Sequence, residues 1–299
     1  MTLGILAGLL AGALWGLVFV APRMAPGLSM VDLTAARFVT CGVLSALVML
    51  GTLRSRRLPT LRQAGVAIGL SVLGFTGYYL LLALSIDSIG SEVPALVIGT
   101  IPIWVMLLGK PDHLRWSELL PGLVLTGAGL VLMMHANYKP ELKVHMTGSS
   151  YWVSLALAVA AMVSWTAFAI LNSGWLKRHP EVNATDWANW MGVAAGVVGL
   201  LLWLLAGSDS KTLLALDNRY FIAMVCIVTG IGSAWMATVL WNLASQRLSA
   251  SLCGQLIVSE TLFALVYSYA WDAQWPSAIQ LTACVLFILG ILASIHAHR

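Results

Sequence analysis

Residues 250–270 read ASLCGQLIVSETLFALVYSYA, an apolar run that carries a single carboxylate, Glu260, at its middle. A run of about 20 apolar residues is long enough to cross the roughly 30 Å hydrocarbon core of a bilayer as a helix. A charged side chain at the centre of such a helix costs on the order of 2.5 kcal/mol or more, so it marks a function or a partner. The stretch therefore predicts a transmembrane helix whose acid needs an explanation.

The whole chain has the composition of an integral membrane protein. Of its 299 residues, 60% are hydrophobic and 9% are charged, and the mean hydropathy is +0.89. A soluble domain carries about 25% charged residues. The apolar runs are too long and too continuous for the alternating strands of an outer-membrane barrel. Composition therefore indicates an all-α integral membrane protein.

Hydrophobic patterning divides the chain into ten predicted spans, joined by short connections that carry proline, glycine and charge. The spans cover residues 3–21, 31–50, 64–84, 89–109, 117–135, 151–172, 186–205, 220–242, 250–270 and 277–295. The longest connection, 135–150, separates two groups of five. This spacing predicts a first five-helix repeat over residues 1–140 and a second over residues 141–299.

The basic residues predict the orientation. Lysine and arginine favour by about two to one the loops that are cytoplasmic when both termini are cytoplasmic. The cluster at Arg54, Arg56, Arg57 and Arg62 contributes most. Because positive charge lies in loops and at span ends, except at Arg37, these residues indicate topology and not contacts with nucleic acid.

The two halves carry matching landmarks in the same order. Trp15 of the first span matches Trp165 of the sixth, and Asp32 opens the second span as Asp186 opens the seventh. Because each half has an odd number of spans, the halves are expected to cross the membrane in opposite orientations. Inverted repeats are the architecture of many secondary transporters, with the substrate near the midplane between them. The alternative is the general likeness in composition that all membrane helices share.

The chain resembles the drug/metabolite transporter superfamily in the residues that open and interrupt its spans. The resemblance rests on ALWGLVF at 13–19, Arg37 in the second span, Pro94 and Pro102 in the fourth, and GLVLTGAGLVL at 122–132. It covers essentially the whole chain. It implies ten helices arranged as a basket around a central cavity, and transport by alternating access.

Within the superfamily the chain is most similar to the bacterial aromatic amino-acid exporters. The similarity lies in GYYLLLALS at 77–85 and in the AW and LWN fragments of 234–242. It implies a multi-pass protein of the bacterial inner membrane that exports aromatic or other neutral amino acids. The chain departs from the family at Ser259 and Glu260, where many relatives carry a proline, and this adds a titratable group to the expected cavity.

Two charged side chains inside predicted spans are candidates for substrate binding or ion coupling. Glu260 could carry a proton, pair with a cationic group of a substrate, or make a structural hydrogen bond to a neighbouring helix. Arg37 lies about two turns into the second span. It could be the counter-ion of Glu260, hold a substrate carboxylate, form a structural salt bridge or extend to the interface.

Aromatic residues form a second group of candidates. Trp15 and Trp165 could stack on a planar solute, form a gate, or only pack against helices and lipid. Tyr78 and Tyr79 in the third span and Trp235 in the eighth are candidates for the same reason. Together with Glu260 they define the predicted binding site at the midplane.

Polar residues and a proline complete the predicted site. Ser164, beside Trp165, could add a hydrogen bond to a solute. Asn242 and Gln255, in the eighth and ninth spans, could contact a solute or only bridge helices. Pro102 frees a backbone carbonyl in the fourth span, and such interrupted helices often line transporter cavities. A simple packing kink is the alternative.

Other kinds of chemistry find no motif in the sequence. It contains no Walker-type phosphate loop, no HExxH and no clustered cysteine and histidine, so we expect neither a cofactor nor a metal ion. The four cysteines lie in apolar spans without CxxC spacing and are expected to be structural.

The combined interpretation is a secondary carrier, and not an enzyme, that exports small amphipathic metabolites. Its expected partners are a small-molecule substrate and the lipid bilayer, with a monomer as the working assumption. One alternative is an exporter of cationic drugs or polyamines that uses Glu260 as counter-charge. Another is a membrane scaffold or an intramembrane enzyme. An enzyme would need a second acid, base or metal ligand beside Glu260, and Arg37 is a poor base.

Overall fold

A computed structural model describes most of the chain as helix. The residues that it describes are 1–52, 58–89, 92–136, 149–273 and 275–298. Every regular element within these ranges is helical. The prediction of an all-α membrane protein is therefore confirmed.

Part of the orientation argument concerns residues outside this description. Arg54, Arg56 and Arg57 lie outside the described residues, as does most of the predicted connection between the halves, 137–148. The cytoplasmic location of both termini stays a prediction.

Fifteen α-helices, numbered in chain order, make up the described fold. They are α1 (Thr2–Gly16), α2 (Ala21–Met24), α3 (Met30–Thr52), α4 (Leu61–Ser71), α5 (Gly77–Ile89), α6 (Glu92–Gly99), α7 (Ile101–Leu108), α8 (Trp116–Ala136), α9 (Ser149–Arg178), α10 (Ala184–Ala206), α11 (Ser210–Leu214), α12 (Arg219–Thr229), α13 (Ala237–Arg247), α14 (Ala250–Asp272) and α15 (Ala278–Ala297). Short 3₁₀- or π-helical segments join some of them into longer rods.

Nine helical stretches of the described chain are long and apolar enough to cross a membrane. They are Thr2–Phe19, Met30–Gly51, Leu61–Ile86, Trp116–Ala136, Tyr151–Arg178, Ala184–Ala206, Arg219–Arg247, Ala250–Asp272 and Ala278–Ala297. Each overlaps one of the ten predicted spans. The protein therefore crosses the membrane many times.

The predicted fourth span, 89–109, differs from the other nine. Its described part consists of α6 and α7, which are separated at Thr100, and the apolar stretch Val93–Leu108 is shorter than the rest. Pro102 has no N–H to offer the carbonyl group four residues earlier. The hydroxyl of Thr100 donates to the carbonyl oxygen of Val97 at 2.7 Å at the break. The proline thus coincides with an interruption of the helix.

Helix packing pairs the two halves of the chain in an ordered way. α3 packs along α10, and α8 packs along α15. α1 packs against α13 and α14, while α9 packs against α5, α6 and α7. Most of the extensive contacts therefore join a helix of the first half to a helix of the second.

Small residues let the paired helices approach closely. A methyl group added at Gly42 of α3 would lie 2.6 Å from the Cα atom of Gly196 in α10. On α1, a methyl group at Gly12 would lie 3.0 Å from the backbone nitrogen of Glu260. In lipid there is no hydrophobic driving force between helices, so their association depends on van der Waals packing, which small residues allow. They fix α1 directly against the middle of α14.

Two membrane-spanning rods contain a π-helical segment. Val72–Thr76 separates α4 from α5, and Gly230–Met236 separates α12 from α13. These rods are the third predicted span of the first half and the third of the second. π-Helical turns are rare and are frequently found at functional sites.

α14 has the most enclosed position of the nine membrane-spanning stretches. Every residue from 251 to 259 is buried, so this part of the helix has no face for lipid. The next four residues, 260–263, are partly exposed. Glu260 therefore lies where the surroundings of α14 change from closely packed to more open.

Candidate functional site

Three tryptophans from three helices meet in the interior. The ring centroids of Trp15 (α1) and Trp165 (α9) are 6.1 Å apart, in an edge-to-face arrangement. Trp241 (α13) completes the triad, 5.3 Å from Trp15 and 5.9 Å from Trp165. The two tryptophans matched in the sequence are thus in direct contact. Trp241 was not among the predicted site residues, although it lies in the LWN fragment.

A row of aromatic rings leads from this triad towards α3. Trp165 contacts Phe168 at 5.9 Å between centroids, and Phe168 contacts Phe75 at 5.4 Å. Phe75 then contacts Phe38 at 6.1 Å, and Phe38 contacts Tyr79 at 6.5 Å. The row connects the tryptophans with the surroundings of Arg37. The three phenylalanines are apolar and lie in apolar spans, so nothing in their sequence positions marked them.

Arg37 lies among aromatic rings at the end of this row. Its guanidinium carbon Cζ is 4.9 Å from the ring centroid of Phe38 and 5.5 Å from that of Tyr79, distances typical of cation–π contacts. Its Nε atom is buried and has no hydrogen-bond partner in the part of the chain that the structure describes. The guanidinium therefore has donor capacity that the protein leaves unused.

Glu260 is a second charged group without a direct partner in the described part of the chain. Among the described residues its carboxylate forms no hydrogen bond, and no nitrogen of Arg37 lies within 4.0 Å of it. The two side chains are nevertheless close enough to interact electrostatically, and Tyr78 is within electrostatic reach of both. The structure thus brings Arg37, Tyr78, Tyr79 and Glu260 into one region.

Both π-helical segments are tied to a helix that carries a tryptophan of the triad. The hydroxyl of Ser164, next to Trp165, donates to the carbonyl oxygen of Leu73 at 2.7 Å. The hydroxyl of Ser233 donates to the carbonyl oxygen of Leu14, next to Trp15, at 2.5 Å. The two bonds are equivalent in position and both donors belong to the second half, but the tryptophan-bearing helix donates in the first bond and the π-helical segment donates in the second. Ser164 therefore bonds to the backbone of the neighbouring helix.

Trp235 bonds to a buried amide. Its Nε1 atom donates to Oδ1 of Asn189 in α10 at 2.7 Å, while Nδ2 of Asn189 is buried without a partner among the described residues. Trp235 packs with Phe38 and Tyr79 in the same small cluster. It therefore adjoins the region of Arg37.

Asn242 lies in a buried hydrogen-bond network between three helices. Its Oδ1 atom accepts from Nδ2 of Asn172 at 3.0 Å, and its Nδ2 atom donates to the carbonyl oxygen of Ala184 at 3.5 Å. Trp187 donates from Nε1 to Oδ1 of Asn172 at 2.7 Å. Asn242 is fully buried, so in this conformation it bridges α9, α10 and α13.

Gln255 has a similar environment on α14. Its Nε2 atom donates to Oγ1 of Thr126 at 2.8 Å, and its Oε1 atom accepts from Ser294 at 3.1 Å. It is also fully buried. These contacts bridge α14 to α8 and α15. Pro102 is buried too, at the start of α7, which packs against α14 and α9.

An ion pair joins the far ends of the first and ninth spans. Arg23 of α2 forms a short salt bridge with Asp272 at the end of α14 and also donates to Ser268. The exposed fraction of the side chain is 40% for Arg23 and 35% for Asp272, so each is more than a third exposed. The contact closes one end of the α1–α14 interface.

A small cavity lies beside the aromatic row. It is lined by Phe38, Cys41, Phe75, Ala188, Gly192, Ala195, Ala234 and Thr238, and its volume is about 10 Å³. That volume accommodates about one water molecule.

The described residues contain no group of three or more histidine, cysteine or acidic side chains that could hold a metal ion. The four cysteines are free thiols, three of them buried.

Comparisons with known proteins match this chain to a transporter family and to bacterial proteins named as an inner membrane protein and a transporter. Residues 2–134 match the EamA-like transporter family. The chain is 29% identical to "Inner membrane protein YtfF" of Escherichia coli (strain K12), over 99% of this chain and 96% of that protein. It is 21% identical to "Uncharacterized transporter YdfC" of Bacillus subtilis (strain 168), over 82% of this chain and 76% of that protein. A crystal structure with 18% sequence identity has the same fold, with a TM-score of 0.77 over 99% of this chain and 98% of that one.

Proposed function

We infer that this chain, a member of the drug/metabolite transporter superfamily whose first half matches the EamA-like transporter family, is a secondary carrier that exports small amphipathic metabolites. Aromatic and other neutral amino acids are the proposed substrates, and the bacterial inner membrane is the proposed location. The family and a relative named as a transporter favour transport over an enzyme or a scaffold.

The proposed architecture is a pair of inverted five-helix repeats, 1–140 and 141–299. The interrupted pair α6 and α7 is the fourth span in this scheme, which gives ten spans and both termini in the cytoplasm. Equivalent helices of the two halves pack together, α3 with α10 and α8 with α15. The π-helical segments also lie in equivalent spans. These correspondences support the repeat.

The observation that carries the proposal is the reciprocal contact between the halves at the tryptophan triad. Ser164 of the second half donates to Leu73 of the first, and Ser233 of the second half donates to Leu14 of the first. Each bond joins a tryptophan-bearing helix to the π-helical segment of the opposite half. Two repeats that exchange equivalent contacts can rock against each other about the substrate, as in other inverted-repeat carriers.

Alternating access is supported by how closely the interior is packed. The cavity next to Phe38 and Phe75 has room for about one water molecule. An amino acid needs far more space than this cavity offers, so loading at the aromatic row requires the surrounding helices to separate. On the N-terminal side of Glu260, residues 251–259 of α14 are buried. At the C-terminal end of α14, the Arg23–Asp272 pair joins this helix to α2.

The lining of the proposed site fits an aromatic solute with no net charge. Trp15, Trp165 and Tyr79 offer ring faces and edges, and stacked aromatic pairs contribute roughly 0.5–1.5 kcal/mol beyond the burial of their area. Arg37 and Glu260 are side chains of opposite charge type, so the region favours neither a cation nor an anion over a solute with no net charge.

An exporter of cationic drugs or polyamines is the second proposal. It is favoured by Glu260, whose carboxylate has no hydrogen-bond or ion-pair partner among the residues described. A cation would supply that partner. Arg37 disfavours this assignment, because its positive charge lies within electrostatic reach of the same carboxylate.

Uptake by purified protein in liposomes tests both proposals. The substrates are labelled phenylalanine, tryptophan, leucine and putrescine, each measured at two pH values, with protein-free liposomes as the control. We expect saturable counterflow of the aromatic amino acids, weaker transport of leucine and none of putrescine. Transport of putrescine alone would replace the first proposal with the second. Transport of none of them would contradict both.

A further inference from the structure

We propose that Arg37 and Glu260 are the two ends of a zwitterion site, in which the guanidinium receives a substrate carboxylate and the carboxylate receives a substrate ammonium group. This inference rests on the proposed function and specifies how the carrier recognises an amino acid. It assigns one end of the substrate to α3 and the other to α14. The two helices belong to opposite halves of the chain.

The first argument is the state of Arg37. Its Nε–H is buried without an acceptor in the described chain, and its guanidinium contacts the rings of Phe38 and Tyr79 instead of a carboxylate. Buried donors in native proteins nearly always have a partner, so one without a partner calls for an explanation. A carboxylate can accept two parallel hydrogen bonds from a guanidinium, which makes it the ligand that fits this group best.

The second argument is the state of Glu260. It lies at the centre of the membrane-spanning stretch Ala250–Asp272, yet it has neither a hydrogen bond nor an ion pair within the described residues. Its backbone is held against Gly12 of α1, so the helix cannot easily turn the carboxylate elsewhere. Residues 260–263 are partly exposed, so close packing does not enclose this turn of α14. An ammonium group is the complementary ligand.

The third argument is that these opposite charges are near each other without touching. They interact electrostatically, but no nitrogen–oxygen distance is 4.0 Å or less. A direct salt bridge would satisfy both groups and leave nothing for a ligand. The separated pair instead offers one charge of each sign to an amino acid, whose ammonium and carboxylate groups are both bonded to the same Cα atom. Within the described residues, the titratable side chains seen to interact with this pair are Tyr78, Tyr79 and Cys41, which are neutral when protonated.

The aromatic row gives the substrate side chain a place beside the charged pair. Phe38 contacts both the guanidinium of Arg37 and the ring of Phe75, and both rings line the small cavity. A substrate whose carboxylate lies on Arg37 would therefore direct an apolar side chain along this row. Analogues with only one charge would leave either Arg37 or Glu260 without a partner.

Three ligands with the same ring test the site: phenylalanine, phenethylamine, which lacks the carboxylate, and 3-phenylpropionate, which lacks the ammonium group. Each competes against labelled phenylalanine in liposome counterflow. With the unmodified protein we expect phenylalanine to compete at least 10-fold better than either analogue. Equal competition by phenethylamine or 3-phenylpropionate would overturn the proposal, and this comparison needs no variant.

Variants then assign each charge to its end of the substrate. Glu260→Gln should weaken phenylalanine at least 10-fold and lessen the discrimination against 3-phenylpropionate. Arg37→Gln should weaken phenylalanine equally and lessen the discrimination against phenethylamine. Arg37→Lys, which keeps the charge, should retain part of the binding. Lys211→Gln, which removes an exposed cation of α11, is the matched control and should change neither affinity nor discrimination.

The outcomes separate failure of this site from failure of the proposed function. If the unmodified protein transports no amino acid, the proposed function fails. If it transports phenylalanine and both glutamine variants keep the original discrimination, only the zwitterion site fails. The unfolding temperature in detergent without ligand, measured for every protein, shows whether a variant that does not transport is still folded.

Discussion

The indole of Trp15 meets the indole of Trp165 edge to face, with 6.1 Å between ring centroids, and this contact joins the first helix of one half to the first of the other. Trp241 packs against both rings. Its Nε1 atom is buried without a hydrogen-bond partner in the described chain. The triad is therefore held together by ring packing, without a hydrogen bond from Trp241.

Replacing Trp241 by phenylalanine is therefore expected to cost less stability than the same change at Trp187. Both side chains are buried, but Nε1 of Trp187 donates to Asn172 at 2.7 Å. Removing that donor leaves the buried amide oxygen short of a partner, which costs roughly 1–3 kcal/mol. The free energies of unfolding of Trp241→Phe and Trp187→Phe in mixed micelles should differ by about that amount. A larger loss for Trp241→Phe would show that its N–H does have a partner.

Ser233→Ala and Ser164→Ala should each weaken the attachment of a π-helical segment to the opposite half. Hydrogen bonds between membrane helices contribute about 0.6 kcal/mol on average and at most about 1.7 kcal/mol. We expect each variant to lose free energy of unfolding within that range. Thr282→Ala is the control, because the Thr282 hydroxyl donates only within its own helix, to Ala278 at 2.8 Å. The prediction is wrong if the control loses as much as the two serine variants.

Gly42→Ala should destabilise the pairing of α3 with α10. The added methyl group would lie 2.6 Å from the Cα atom of Gly196, a backbone atom that cannot move aside without separating the helices. Forced overpacking costs typically about 1–3 kcal/mol. Gly69→Ala is the matched control in α4, where an added methyl group meets nothing within 4 Å. In thermal unfolding in detergent, the midpoint temperature should be lower for Gly42→Ala than for the unmodified protein. For Gly69→Ala it should be unchanged or slightly higher.

Neutralising the ion pair between Arg23 and Asp272 should have a small effect on stability. Exposed pairs contribute typically about 0.2–1 kcal/mol, and salt screens them. A double-mutant cycle with Arg23→Gln and Asp272→Asn should give a coupling energy in that range, reduced at 1 M salt. A coupling that exceeded about 2 kcal/mol, or that did not change with salt, would mean that the pair is shielded from solvent.

The sequence predicted the membrane spans well because each depends on local composition. The run around Glu260, with about 20 apolar residues, identifies α14 without any knowledge of its neighbours. The fourth span was the exception, since two prolines interrupt it and only part of its length is regular helix. The π-helical segments were not predicted, because apolar composition continues through 72–76 and 230–236 without a change in pattern.

The candidate site was harder to predict because its residues come from distant parts of the chain. Gln255 bonds to Thr126, which lies 129 positions away, and Asn242 bonds to Asn172, which lies 70 positions away. A polar residue in a span shows that a partner is needed, but not whether that partner is a helix or a solute. Trp241 was missed for a related reason, since its position in an apolar span does not show which rings it contacts.

The burial of α14 has a consequence for how the protein is made. Every residue from 251 to 259 contacts protein, and Ala250–Asp272 has the lowest mean hydropathy of the nine spanning stretches. A translocon admits a nascent segment to lipid according to its hydrophobicity, and an acid at the centre weakens that preference. When this segment leaves the ribosome, the helices synthesised before it must therefore supply the surface against which it enters the membrane.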